Sequence, residues 1–179
     1  MSLEPLYTPT YQLSGDEGAI FTTSKGTIHV VFDCEGAPIH VANFCELATS
    51  GYYDDLKFHR YVPGFVIQGG CPHTRDMSSE QVASGRPGYD GMPGTGGPGY
   101  RIHEEFSTNP RNSHVDGALA MARSANPNSA GSQFYFCLGS QHNLDSNYTV
   151  FGTTVDGFDV ISSLRAGDVI EHIEIVHEA

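Results

Sequence analysis

The segment Phe58–Gly70 carries the side chains with the clearest capacity for chemistry. Its sequence is FHRYVPGFVIQGG, so Arg60 precedes a Pro-Gly pair that Phe65 and Gln68 follow. Arginine is always charged and offers five N–H donors, and glutamine offers both a donor and an acceptor beside the apolar ring of phenylalanine. If the flanks are strands, the turn directs all three side chains to one surface. Taken singly, each also fits a plain role in the core or on the surface, and that alternative stays open.

Other motifs suggest other chemistries, but their contexts argue against them. Gly94–Gly99 matches GxGxxG, yet a Gly/Pro-rich loop precedes it and a β-like stretch follows, whereas a dinucleotide site needs a strand and then a helix. The nine histidines show no HxH or HExxH spacing, so we expect no metal site. Ser132 lies in no GxSxG elbow. A metal-dependent hydrolase remains a distant alternative, which an elemental analysis without bound metal would remove.

The pattern of apolar residues predicts mainly strands around these motifs. Strands are predicted at residues 19–23, 27–32, 58–62, 65–68, 117–122, 133–138, 149–155 and 170–177. Pro38 and an apolar stripe of Val41, Phe44, Cys45 and Ala48 predict a helix that ends before Gly51, and residues 158–165 form a second, shorter helix. Residues 72–99 are rich in Gly, Pro, Ser and Asp, which predicts a loop. About eight strands and two helices are typical of an antiparallel barrel or sandwich.

Composition and charge narrow the class of protein. The chain has 179 residues, enough for one domain, and a formal net charge of −12, which disfavours a nucleic-acid partner. Its four cysteines form no CxxC pair, and the first residues show no signal-peptide pattern. No apolar run approaches the ~20 residues of a membrane span. We therefore expect a cytoplasmic protein with reduced thiols and no membrane partner.

Four blocks of the sequence resemble the cyclophilin family of peptidyl-prolyl cis/trans isomerases. They are Phe58–Gly70, Gly94–Gly97, Met121–Arg123 with Gly131–Phe134, and Leu144–Asp145 with Val150–Gly152, in the family's order. The resemblance implies a mostly β fold, a closed eight-stranded antiparallel β-barrel capped by two α-helices. It implies an isomerase domain at residues 17–179, preceded by an N-terminal arm at residues 1–16. A groove on the outside of the barrel is implied to bind the Xaa-Pro peptide.

The resemblance also assigns roles to individual residues. Arg60 is implied to be the catalytic guanidinium, Phe65 the floor of the proline pocket, and Gln68 a hydrogen-bond partner of the substrate backbone. The implied substrate-binding residues are Val66, Gly94, Ala122, Arg123, Gln133, Tyr135, Leu144 and Tyr148. Asn143 stands where some members carry a tryptophan that contacts cyclosporin, so we expect weak cyclosporin binding. No cofactor and no metal is implied.

The implied reaction is rotation about Xaa-Pro bonds in peptides and unfolded proteins, assisting folding, and we expect a monomer. A proline-peptide binding module or a chaperone with weak catalysis is the nearer alternative, and an isomerase assay separates the two. Because strand residues alternate, we expect His59 to point away from the face that Arg60 occupies. Residues 72–93 are expected to be an exposed insertion near the mouth of the groove.

Overall fold

Strands dominate this computed structural model, which describes residues 3–177, so the ends of the predicted arm (1–2) and domain (178–179) lie outside it. The strands are β1 (Glu17–Thr23), β2 (Gly26–Phe32), β3 (Arg60–Val62), β4 (Val66–Gly69), β5 (Ala118–Met121), β6 (Phe134–Cys137), β7 (Val150–Asp156) and β8 (Ile170–His177). The helices are α1 (Pro38–Thr49), α2 (Ser79–Ala83) and α3 (Phe158–Ser163). Each strand overlaps a region that the apolar pattern predicts as extended, so the mostly β prediction is confirmed.

The strands form one antiparallel sheet in the order β3-β4-β6-β5-β7-β2-β1-β8. Strands β3 and β8 are its edges and do not pair with each other, so the predicted closed barrel is not shown and the sheet is a half-barrel. The segments just before these edge strands do meet. The backbone N of Phe58 donates to the carbonyl oxygen of Asp168 at 2.9 Å, and Gly167 N donates to the carbonyl oxygen of Phe58 at 2.8 Å. With three residues, β3 is too short to extend this pairing along β8.

Alternation of side chains gives the sheet two apolar faces. In β6, Phe134 and Phe136 are fully buried in the inner core, whereas Tyr135 and Cys137 belong to a second apolar cluster. That outer cluster consists of Val66, Ala118, Ala120, Tyr135, Cys137 and Val150, with Phe65, Ala122, Leu144 and Tyr148 packed at its margin. The inner core holds the fold together, and the outer cluster provides an apolar surface on which a groove can form.

Helix α1 is set by a proline and by aromatic packing. Pro38 occupies its first turn, where the missing N–H would have no helical partner in any residue. Phe44 is fully buried against Phe21, Tyr53 and Phe151, with ring centroids 4.9–5.8 Å away. The helix therefore covers the inner core with its predicted apolar stripe. Among the described helices, none is long and apolar enough to reach across a membrane.

The prediction of two helices is corrected by α2, which forms inside the presumed loop. The hydroxyl of Ser78 accepts a hydrogen bond from the backbone N of Gln81 at 3.1 Å, and Gln81 Oε1 accepts one from Ser78 N at 2.9 Å. This reciprocal capping box satisfies two backbone donors that a helix start leaves unpaired. Its Ser-x-x-Gln pattern is present in the sequence, and the prediction of an irregular loop overlooked it.

The segment 72–93 is also less exposed than predicted. Thr74, Met77 and Val82 are buried. The hydroxyl of Thr74 accepts a hydrogen bond from the backbone N of Lys57 at 3.0 Å, just before the edge strand β3. The first half of the segment is therefore part of the structure that supports β3, and exposed residues predominate only after Val82.

The arm runs along the surface of the sheet domain, and α1 holds it there. Glu46 of α1 accepts hydrogen bonds from the hydroxyl of Tyr7 at 2.5 Å, from the hydroxyl of Thr10 at 2.9 Å, and from the backbone N of Tyr11 at 3.2 Å. Burial would raise the pKa of Glu46, but these hydrogen bonds outweigh it and lower the pKa, which keeps the carboxylate charged. One acidic side chain thus fixes the path of the arm.

Candidate active site

A cavity of about 200 Å³, here called the outer cavity, opens over the outer apolar cluster. Its lining consists of Arg60, Phe65, Val66, Gln68, Ala122, Arg123, Tyr135, Leu144 and Tyr148. The two remaining predicted site residues, Gly94 and Gln133, line a second cavity of about 340 Å³, here called the flanking cavity. Because both cavities are lined by Gln68, Ala122 and Arg123, they adjoin and form one groove. The structure therefore brings all eleven predicted site residues together.

The β3–β4 hairpin places Arg60 beside Gln68. Gly64 adopts a positive φ of 69° in the turn, and Phe65 N donates to the carbonyl oxygen of Val62 at 3.0 Å. In this register Arg60 is the direct cross-strand partner of Gln68, so the two side chains leave the same face of the sheet. Arg60 is exposed, and within residues 3–177 its guanidinium forms no ion pair and no hydrogen bond. Its five N–H donors are therefore available to a ligand.

Gln133 orients Gln68 and joins the two cavities. Gln68 Nε2 donates to Gln133 Oε1 at 3.0 Å. Gln133 Nε2 donates in turn to the carbonyl oxygens of Gly94 and Gly96, both at 2.9 Å. These contacts occupy both ends of the Gln133 amide and fix its orientation. In the described part of the chain, Gln68 Oε1 accepts no hydrogen bond, which leaves it as an acceptor for the N–H of a bound peptide.

The aromatic wall of the outer cavity is held by three hydrogen-bonded residues, of which His114 and Tyr135 are buried. The hydroxyl of Tyr135 lies 2.8 Å from His114 Nε2, and His114 Nδ1 lies 2.8 Å from Asp145 Oδ1. A carboxylate accepts only, so His114 carries its proton on Nδ1 and its Nε2 accepts from the tyrosine hydroxyl. The His114 and Tyr135 rings are also nearly parallel, with centroids 5.9 Å apart. Sequence reasoning missed His114, which it counted only among scattered histidines.

Burial and hydrogen bonding together set the protonation of His114, Tyr135 and Asp145. Burial lowers the pKa of His114 more than Asp145 raises it, so the imidazole is neutral near pH 7. Burial also raises the pKa of Tyr135 well above its usual range, so the phenol keeps its proton. For Asp145, hydrogen bonds from the backbone and side chain of His114 and from His142 outweigh burial and lower the pKa. The wall is therefore neutral at the cavity and charged only behind it.

Comparison with known proteins decides the family. The model of the family described as "Cyclophilin type peptidyl-prolyl cis-trans isomerase/CLD" matches residues 19–178. A peptidyl-prolyl cis-trans isomerase of Synechococcus elongatus is 44% identical over 163 residues, which cover 90% of this chain and 97% of the relative. The chain belongs to the cyclophilin family.

Solved structures of cyclophilins share the fold. A cyclophilin-type peptidyl-prolyl cis-trans isomerase from Cryptosporidium parvum superposes with a TM-score of 0.73 at 27% identity, covering 91% of this chain and 99% of that one. The same parasite protein, solved in the presence of the dipeptide Ala-Pro, gives a TM-score of 0.69 at 28% identity, covering 90% and 99%. The half-barrel described above is thus a cyclophilin fold.

In this cyclophilin, Arg123 is already engaged by its own surroundings. Its guanidinium lies 4.6 Å from the centroid of the Tyr148 ring and 5.9 Å from that of Phe106. Arg123 Nε and Nη2 donate to the carbonyl oxygen of Asn147 at 2.9 and 2.6 Å. Arg123 therefore serves as a wall between the two cavities, with its charge drawn toward the Tyr148 side.

His59 lies behind the groove and lines neither cavity in the described structure. Gly94, with a φ of 92°, passes so close that a Cβ there would lie 3.1 Å from His59 Cδ2. Burial and the charge of Arg60 lower the pKa of His59 to about 4, although Gln133 partly opposes this. The ring is therefore neutral at pH 7 and is placed to support the Gly94 turn.

Two further features concern ligands. Asn143 is exposed in a short 3₁₀ turn, His142–Leu144, beside the cavity but outside its lining. Away from the groove, ligand atoms of Asp16, Glu17 and His177 lie within 4.8 Å of one another, a group that the sequence spacing did not reveal.

The carboxylate of Glu17 in that group already accepts hydrogen bonds from the backbone N of Ser14 at 2.7 Å and of Gly15 at 2.8 Å. His177 Nδ1 lies 2.9 Å from Asp16 Oδ1. These hydrogen bonds already satisfy the three side chains, so we assign no metal site to them.

Proposed function

We propose that Arg60 and the outer cavity carry the peptidyl-prolyl cis/trans isomerase activity of this cyclophilin. The observation that supports the proposal is an unpaired guanidinium at the rim of an apolar cavity, held opposite Gln68 by a two-stranded hairpin. In this assignment the proline ring enters the cavity against Phe65 and Tyr135, and Gln68 binds the peptide backbone.

The chemistry follows from the electronic structure of the amide. Rotation about an Xaa-Pro bond is slow because resonance gives a barrier of ~18–20 kcal/mol. In the twisted state the proline nitrogen loses conjugation and gains a lone pair. Arg60 donates a hydrogen bond to that nitrogen, and the bond is stronger in the twisted state than in the planar one, which is the condition for catalysis. No proton is transferred and no covalent bond is broken.

The size of the effect is within reach of this site. An acceleration of ~10⁵-fold requires about 7 kcal/mol of differential stabilisation. A charged hydrogen bond contributes part of this. The buried wall of Val66 and Tyr135 excludes water from one side of the ring, and fixed positioning contributes the remainder.

Arg60→Ala tests the assignment. We expect kcat/KM on an Ala-Pro peptide, measured by NMR exchange spectroscopy, to fall at least ~10²-fold, about 2.7 kcal/mol. Stability should stay within ~0.5 kcal/mol, because the exposed side chain has no internal partner to leave unpaired. Arg86→Ala is the matched control, since Arg86 is exposed and lies outside the groove. Near-wild-type turnover in the Arg60 variant would refute the role of the guanidinium.

A second measurement tests the binding-module alternative. A peptide titration followed by chemical shifts measures affinity independently of turnover. Saturable binding of an Ala-Pro peptide by the wild type, without acceleration of its isomerisation, would identify a proline-peptide binding module. Cyclophilins bind Xaa-Pro peptides. Unfolded proteins are proposed here as the physiological form of that ligand.

We also propose that the half-barrel closes between its edges. Two backbone hydrogen bonds link Phe58 with Gly167 and Asp168, and Lys57 forms an isolated antiparallel bridge with Val169. If this seam is a stable part of the barrel, the amides of Phe58 and Gly167 should exchange with solvent as slowly as those of central strands. Exchange at the rate of loop amides would indicate an open sheet.

The cytoplasmic location and the monomeric state stay predictions. Cys34, Cys45, Cys71 and Cys137 are free, and the last three are buried, which suits a reducing compartment. Sedimentation velocity at micromolar concentration would test the monomer.

A further inference from the structure

The flanking cavity is built partly by the N-terminal arm. Glu4 belongs to its lining, together with the Gly94–Pro98 turn and residues 129–133. The family model begins at residue 19, so the arm is a part of this chain for which family membership alone does not account. Because the flanking cavity adjoins the outer cavity, it is within reach of side chains close to a proline that occupies the outer cavity.

The arm is held at the cavity by Arg101. The backbone N of Tyr7 donates to the carbonyl oxygen of Arg101 at 2.8 Å, and Arg101 N donates to the carbonyl oxygen of Pro5 at 3.0 Å. Arg101 Nε donates to the carbonyl oxygen of Glu4 itself at 2.8 Å. The Tyr7 and Tyr100 rings pack with centroids 4.4 Å apart. With the contacts of Glu46 further along, these bonds fix the backbone of Glu4 and leave its carboxylate to the solvent.

Two charged residues line the flanking cavity, Arg123 and Glu4. Arg123 lies at the end shared with the outer cavity, with its guanidinium engaged by carbonyl oxygens and aromatic rings. Glu4 lies near Tyr52, where burial is the main cause that raises the pKa of the tyrosine and the charge of Glu4 adds to it. Within residues 3–177 the Glu4 carboxylate has no ion pair and no hydrogen bond. It is the single acidic residue in the lining.

We propose that Glu4 makes this cyclophilin prefer substrates with a lysine or arginine within two residues of the Xaa-Pro pair, its cationic group lying beside Glu4 in the flanking cavity. A long cationic side chain suits the site because its apolar stem spans the distance from the peptide backbone while its charge reaches Glu4. A glutamate at the same place meets a like charge. The inference rests on the proposed function, because it places the proline in the outer cavity.

The test uses four pairs of Ala-Pro peptides, with lysine or glutamate at each of the two positions before and the two after the Xaa-Pro pair. The dissociation constant is measured by NMR titration and kcat/KM by exchange spectroscopy. For at least one position we expect the wild type to favour lysine over glutamate by about two- to five-fold, the range of exposed ion pairs. The preference should shrink as salt rises from about 20 mM to about 500 mM, because exposed charges are screened.

Two substitutions assign the preference to Glu4. Glu4→Gln should reduce the lysine-to-glutamate ratio toward one, and Glu4→Lys should invert it. Glu171→Gln is the matched control, since it removes the same charge from an exposed position on β8 outside the groove, and it should leave the ratio at the wild-type value. The Glu4 side chain has no partner in residues 3–177, so these variants should fold.

The two measurements keep the two proposals apart. Equal affinity of the wild type for the lysine and glutamate peptides at all four positions would overturn the role of Glu4. A ratio that is the same in Glu4→Gln as in Glu171→Gln would overturn it too. A lysine preference in binding that depends on Glu4, without acceleration of isomerisation, would support Glu4 while refuting the proposed catalysis.

Discussion

Removing one buried hydroxyl, with Tyr135→Phe, should destabilise this protein. His114 is completely buried, and its Nδ1 proton is directed to Asp145. Its Nε2 therefore needs the Tyr135 hydroxyl, 2.8 Å away, as its donor. Phenylalanine keeps the ring in place but leaves that acceptor unpaired, a cost of about 1–3 kcal/mol. For a chain of this size, each kcal/mol of lost stability lowers Tm by about 2–4 °C, so the variant should unfold roughly 2–12 °C lower.

The assay is thermal and urea unfolding followed by circular dichroism. Tyr89→Phe is the control, because it removes the same atoms from a side chain that is 99% exposed, and its Tm should not change. A His114→Leu background tests the cause, since Tyr135→Phe should cost little once its acceptor is gone. If Tyr135→Phe unfolds at the same temperature as Tyr89→Phe, or costs the same with and without His114, the reasoning from this buried chain is wrong.

Four further outcomes are expected. Since the pKa of His59 is lowered to about 4, kcat/KM should be flat from about pH 6 to 9, and a midpoint near 6.5 that His59→Gln abolishes would contradict the mechanism. The stability gained by keeping His59 neutral should be present above about pH 6.5 and be lost as pH falls toward 4, so urea unfolding should show a weaker acid dependence in His59→Gln. Asn143→Trp should tighten cyclosporin binding by adding an indole donor and apolar area beside the cavity, and a calorimetric titration without any gain would exclude that position. Thr74→Val should lower the free energy of unfolding by about 1–3 kcal/mol, because it leaves the backbone N of Lys57 unpaired. Tyr89→Ala, the control, should lower it by under ~0.5 kcal/mol. Equal urea midpoints for the two variants would show that the Thr74 hydrogen bond does not stabilise the fold.

Local pattern was enough to predict most of the frame of this protein. The apolar alternation around Phe134 located β6, and Pro38 with its stripe located α1. The turn at Pro63-Gly64 predicted that Arg60 and Gln68 share a face, and the observed register pairs them. These features depend on residues a few positions apart, where backbone geometry leaves few choices. The roles of the site residues came from resemblance and await the experiments above.

Two expectations drawn from the local sequence pattern needed correction. Helix α2 begins at a Ser-x-x-Gln capping box that glycine and proline on either side obscured. The expectation that residues 72–93 are an exposed insertion holds after Val82 but not before it, because composition does not show which side chains find a partner. Thr74 is buried, and its hydroxyl accepts a hydrogen bond from the backbone N of Lys57, seventeen residues earlier in the sequence.

Tertiary structure alone decided how the groove is supported and how it is charged. His114 contacts Tyr135 and Asp145, which lie 21 and 31 residues further along the sequence. No periodic pattern in the sequence indicates these contacts, because the fold of the whole sheet brings the residues together. Glu4 reaches the flanking cavity because Arg101, 97 residues away, binds its carbonyl oxygen. The sequence by itself determined the strands, the hairpin and the candidate residues, since short-range geometry governs them. Contacts between distant residues depend on the complete fold, and these contacts set the protonation of the wall and the position of Glu4 in the groove.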